Sequence, residues 1–101
     1  PECAINTADG VKVADVVWCS QERFKQIEEE VSASIAPEIC IEVKSDGNTV
    51  AEIDVKKELY FEVGAMEVWL CNQDGKITFY NPEGELKQSL LVPNFPHEIQ
   101  R

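Results

Sequence analysis

An aspartate sits inside the most strongly strand-forming run of the chain, and it restricts the possible folds more than any other residue. In Val13-Ala14-Asp15-Val16-Val17-Trp18 the β-branched and aromatic residues occupy both parities, the pattern of a strand covered on both faces. The spacing predicts a strand over about Val11–Cys19, entered through the turn dipeptide Asp9-Gly10. The ten residues before it are weakly patterned. An ionised carboxylate left buried and unpaired is strongly destabilising, so Asp15 calls for a cation, hydrogen-bond donors or a metal ion beside it.

The same problem recurs one strand later. Pro37 introduces a predicted strand over Glu38–Ser45, in which Ile39, Ile41 and Val43 point one way and Cys40, Glu42 and Lys44 the other. Glu42 is therefore a second carboxylate placed where the pattern asks for an apolar residue. Ser20 caps a predicted helix from Gln21 to about Val31, with Phe24, Ile27 and Val31 at helical spacing. Thr49 and Glu52 form a capping-box pattern that opens a second helix, ending near Gly64. On that helix Ile53, Val55, Leu59, Tyr60 and Val63 share one arc, and Lys56 falls near its middle. Lysine is rarely buried without a partner; it either snorkels to an edge or reaches Asp15 and Glu42.

Strands over Glu67–Asn72 and Lys76–Asn81 flank the hairpin signal Asp74-Gly75, and a weaker strand covers Leu86–Val92. The order β-α-β-α-β-β predicts an α/β (α+β) sandwich with mixed strand directions. At 101 residues the chain has room for a single domain, 1–101. A core of that size is small, which makes a homo-oligomer the expected state. Cys3, Cys19, Cys40 and Cys71 are widely spaced with no C-x-x-C pair; they read as small core hydrophobes in a reducing, cytoplasmic setting. No apolar run approaches the roughly 18 residues of a membrane span, and the first residues lack the basic and apolar regions of a signal peptide.

Two carboxylates from adjacent strands plus a backbone carbonyl supply the hard oxygen ligands that Mg²⁺ prefers. A nearby lysine can activate the attacking water and offset charge on a phosphate. Taken alone, Glu42-x-Lys44 is also the pattern of an exposed ion pair. The 9 Lys+Arg against 19 Asp+Glu give a net charge of −10, opposite in sign to a phosphate-binding surface, which disfavours DNA without excluding a local site. Trp18 and Trp69 are expected in the core, and His97, in a proline-flanked tail, outside any site.

The ordered segments Ala14-Asp15-Val16-Val17-Trp18, Ala36-Pro37-Glu38-Ile39-Cys40-Ile41-Glu42-Val43-Lys44-Ser45, Lys56-Lys57-Glu58-Leu59-Tyr60-Phe61-Glu62-Val63-Gly64 and Glu67-Val68-Trp69-Leu70 resemble the Uma-type family of proposed restriction endonucleases, within the PD-(D/E)XK nuclease superfamily. Val92-Pro93-Asn94-Phe95 is similar to the family's C-terminal segment. The resemblance implies a restriction-endonuclease-like mixed sheet flanked by helices, and a metal site. Its strand aspartate falls on Asp15, its second carboxylate on Glu42 and its helix lysine on Lys56, while Lys44 matches the lysine of the parent superfamily. The implied site is Mg²⁺ or Mn²⁺ on Asp15, Glu42 and the Val43 carbonyl, with Lys44 or Lys56 activating water for hydrolysis of DNA. The chain departs from the family pattern in having Ala14 in place of proline, and in having only 14 residues before Asp15, where the family usually carries a longer N-terminal region. A nuclease-like fold truncated at the N-terminus and kept as a catalytically silent interaction module is the competing expectation.

Overall fold

The computed structural model describes residues 1–99. Its element order starts with a hairpin, β1 (Cys3–Thr7) and β2 (Gly10–Ala14), paired antiparallel as a separate two-stranded sheet. The predicted Asp9-Gly10 turn closes it: the Asp9 N–H donates to Thr7 Oγ1, which donates in turn to the Gly10 carbonyl. The weakly patterned N-terminal residues thus form a strand, secured by fully buried Ile5 and by backbone bonds from Asn6 to Ala33 and from Ala33 to Ala4.

The long strand expected over Val11–Cys19 is two strands in two sheets. The chain bends at Asp15, and β3 (Val16–Trp18) joins a five-stranded sheet with β4 (Ile39–Val43), β5 (Glu67–Cys71), β6 (Ile77–Asn81) and β7 (Gly84–Leu86), in the order β3-β4-β5-β6-β7. Neither half is covered on both faces. Val11, Val13, Val16 and Trp18 are all exposed, because β2 has only β1 as its neighbour and β3 lies at the sheet edge. Trp18, 52% exposed, is therefore not the core residue its strand position suggested, whereas Trp69 is buried.

Helix α1 (Gln21–Ile27) is capped by Ser20, whose side chain accepts from the Arg23 N–H. It stops short of Val31, which is wholly exposed. Glu28-Glu29-Glu30 would place three negative charges at the negative end of the helix dipole. Helix α2 (Val50–Glu62) carries the predicted capping box between Thr49 and Glu52, and it makes the crossover between parallel β4 and β5. It ends at Gly64, whose φ of +109° is the left-handed conformation that glycine adopts without penalty. The last strand is short because the turn at Asn81 reverses the chain earlier than expected; residues beyond Leu86 leave the sheet instead of extending it.

Alternation along β4 divides the core. Cys40 joins Ile5, Ala14, Ile27, Tyr60 and Val68 under the helices and the hairpin. Ile39 joins Trp69, Cys71, Ile77 and Phe79 on the opposite face, where Val92 and Phe95 of the C-terminal segment pack against them. Trp69 contacts Phe79 edge-on at 4.9 Å between ring centroids and Phe95 at 4.6 Å. No helix among the described residues is long and apolar enough to cross a membrane.

Candidate metal and catalytic site

The bend at Asp15 and the inward parity of Glu42 bring the two carboxylates to the same place. One step beyond the pair Val16↔Ile41, the antiparallel register of β3 and β4 sets Asp15 beside Glu42. The half-buried Asp15 accepts a hydrogen bond from the Val43 N–H at 2.8 Å, so β4 backbone fixes its carboxylate. Glu42 is only 1% exposed. Its Oε1 accepts from the Lys56 ammonium at 2.7 Å and its Oε2 from the Tyr60 hydroxyl at 3.1 Å. Lys56 also donates to the Val13 carbonyl at 2.9 Å, two residues before Asp15, which ties the helix to the end of β2.

Helical spacing produces this arrangement. Ile53, Lys56 and Tyr60 recur at three and four residues and so share one face of α2, with Ile53 and Tyr60 buried and Lys56 reaching past them to the sheet. Val55, placed on the same arc by the sequence, is exposed instead and helps line a cleft of about 380 Å³ with Val11, Lys12, Val13, Glu52 and Lys56. That cleft gives Lys56 an opening to solvent.

Burial pushes the Glu42 carboxyl above the usual carboxylate range; the Lys56 hydrogen bond and charge oppose this, and the like charge of Asp15 adds to it. The Tyr60 hydroxyl is pushed far up by burial and by Glu42, so it stays a neutral donor. Asp15 and Glu42 together carry two negative charges against one from Lys56, and among the described residues Asp15 has no ion pair. The set of hard oxygens with a residual negative charge fits a divalent cation. The Val43 carbonyl, one residue beyond Glu42 on β4, has a long contact from Asn48 Nδ2 at 3.4 Å.

The two lysines part company. Lys44 lies just beyond β4, its ammonium on the Ser45 carbonyl at 2.7 Å, and its backbone N–H continues the sheet to Cys71. Lys56 alone of the two touches a candidate carboxylate. His97 binds the Lys87 carbonyl and stacks edge-on against Phe79, far along the opposite face from Glu42.

A sequence model of the Uma2 family, described as "putative restriction endonuclease", matches residues 2–100. The chain belongs to the Uma2 family. A solved structure described as a "putative nuclease belonging to DUF820" from Anabaena variabilis superposes with a TM-score of 0.65 at 21% sequence identity, over 81% of this chain and 48% of that one. The two proteins share this fold, and this chain spans about half the length of that one. No curated protein matches it. Within the Uma2 frame, the segments that carry Asp15, Glu42 and Lys56 lie in the β2–β3 connection, β4 and α2 described above.

Two further acids, one buried and one half-buried, are held by contacts that the local sequence pattern does not announce. Glu67, 2% exposed, accepts from Trp69 Nε1, the Ser89 hydroxyl and the N–H groups of Leu90 and Leu91. It anchors the C-terminal segment to the sheet face opposite Glu42. Glu38 accepts from the Ser20 N–H, and Arg23 at its side donates to the carbonyls of Ala36 and Gly64. The available signal for Glu67 was its alternation with Trp69 on one face of an apolar strand.

Proposed function

We propose that this chain carries the catalytic centre of a divalent-metal-dependent endonuclease that hydrolyses DNA phosphodiesters. The observation that carries the reading is the charge set at one point of the fold: two inward carboxylates, Asp15 and Glu42, and one ammonium, Lys56, bonded to Glu42. Asp15, Glu42 and the Val43 carbonyl would hold Mg²⁺ or Mn²⁺. When bound, the ion supplies a water of lowered pKa and polarises the scissile phosphate.

The chain's own groups account for the rest. The Val43 N–H keeps Asp15 oriented, and Lys56, which the Val13 carbonyl also holds at the cleft, would donate to the attacking water and offset charge on the phosphate. Lys44, on a flexible stem at the end of β4, is suited to a phosphate contact at the rim. Lys12 stands beside Lys56 in the cleft wall, which Glu52 also lines, and is paired with Asp9 at 3.3 Å. We place this activity in the cytoplasm, where four unpaired thiols would stay reduced. Nicking of supercoiled plasmid in Mg²⁺, lost in EDTA and in Asp15→Asn and Glu42→Gln, is the expected result; cleavage that survives both substitutions contradicts it.

A second reading, a homo-oligomeric interaction module, is favoured by a different observation. Val16, Trp18, Ile41, Trp69, Val92 and Phe95 line a nearly wholly apolar groove of about 280 Å³ on the sheet face that runs from the edge strand β3 across β4 and β5. Exposed apolar surface of this kind marks contact sites, and an unpaired edge strand can pair with its copy across a two-fold axis. Sedimentation of the wild type as a dimer and of Trp18→Glu as a monomer is the expected outcome; a monomeric wild type rules this reading out.

A further inference from the structure

Glu42 is held by two donors of different kinds, and the difference has a consequence for cation binding. Oε1 faces a charged donor, Lys56; Oε2 faces a neutral one, the Tyr60 hydroxyl. An arriving divalent cation repels the ammonium but not the hydroxyl, so Lys56 gives up its oxygen first. Tyr60 is fully buried in the core cluster with Ala14, Cys40 and Val68. A phenylalanine would fill that space without a hydroxyl to desolvate, and the hydroxyl's hydrogen bond among the described residues is the one to Glu42.

We propose that Tyr60 is the positioning residue of the metal site: it pins Oε2 of Glu42 to helix α2 and leaves Oε1 as the oxygen offered to the cation. The inference rests on the metal-site reading above and adds a residue that packing alone does not require. Groups that hold a ligating carboxylate from behind typically change metal affinity by 10–100-fold when removed.

The test is Mn²⁺ titration calorimetry on the wild type and on Tyr60→Phe, with thermal melting of both. Tyr60→Phe keeps the ring but removes a donor from a buried carboxylate, so it should melt lower yet still cooperatively, while Mn²⁺ binds on the order of tenfold more weakly. Equal affinity in the two proteins overturns the positioning role and leaves the metal site standing. A wild type that binds no Mn²⁺ removes the metal site and this role together, so the two failures are told apart. If Tyr60→Phe does not fold, the wild type still decides: the Tyr60 hydroxyl proton should remain protected and visible by NMR with Mg²⁺ bound. Its loss to rapid exchange on adding Mg²⁺ overturns the proposal.

Discussion

The Lys56 ammonium stands 2.7 Å from Glu42 Oε1 and 2.9 Å from the Val13 carbonyl, so one side chain joins α2, β4 and the strand that leads to Asp15. Glu42 is almost wholly inaccessible and Lys56 about a quarter exposed. Removing one partner of such a pair leaves an uncompensated buried charge. Lys56→Met should destabilise the fold by about 2 to 3 kcal/mol in urea denaturation. Adding Glu42→Gln to it should restore most of the loss, since the buried charge is then gone. Additive losses would mean that the two side chains act independently.

Glu67 accepts four hydrogen bonds, two of them from the Leu90 and Leu91 N–H groups onto Oε2. Glu67→Gln turns one acceptor oxygen into a donor, and the amide must then face an N–H or the Ser89 hydroxyl. We expect a loss of about 2 kcal/mol and faster amide exchange at Leu90 and Leu91, with β4 and α2 unaffected. Unchanged exchange at those two amides would contradict the anchoring role.

Gly64 combines a φ of +109° with a close neighbour: an added Cβ would lie 3.0 Å from Ile35 Cγ1. Gly64→Ala therefore pays both backbone strain and a shift of Ile35. A destabilisation of about 1 to 2 kcal/mol is expected, read as a lowered melting temperature.

Burial acts to raise the Glu38 carboxyl, but hydrogen bonds from Ser20 and the charge of Arg23 outweigh it and hold the group below the ordinary 4.5. A depressed folded-state value means that the unfolded chain binds the proton more readily. Glu38 thus contributes stability that is complete above about pH 4.5 and is lost as the pH falls through its lower folded value. Glu38→Gln should be less stable than the wild type at pH 7, and the gap should narrow on acidification below 4.5. A gap that stays constant with pH would show that Glu38 is not held in its charged form.

Much of this architecture was legible in the sequence because local chemistry and tertiary context agreed. The capping box at Thr49 and Glu52, the alternation from Ile39 to Val43 and the turn at Asp74-Gly75 each specify their element through a local rule, and each element formed. Lys56 was visible as a lysine on an apolar arc that either snorkels or reaches a carboxylate, and it reaches Glu42. The break at Asp15 was not legible. A run of β-branched residues reads as one strand whether it stays in one sheet or switches between two, and only the partners of each half decide. The exposure of Trp18 follows from its place at the sheet edge, which strand propensity does not encode. Glu67 went unnoticed as a buried acid because its partners come from residues 69 and 89–91, contacts that no local pattern announces.

If Asp15 and Glu42 hold one cation between them, calorimetric titration with Mg²⁺ or Mn²⁺ will register it. The wild type should bind the ion, and Asp15→Ala and Glu42→Ala, each folded by circular dichroism, should both lose the binding. Absence of binding in the wild type, or binding that persists in either variant, would mean that the two carboxylates do not share an ion.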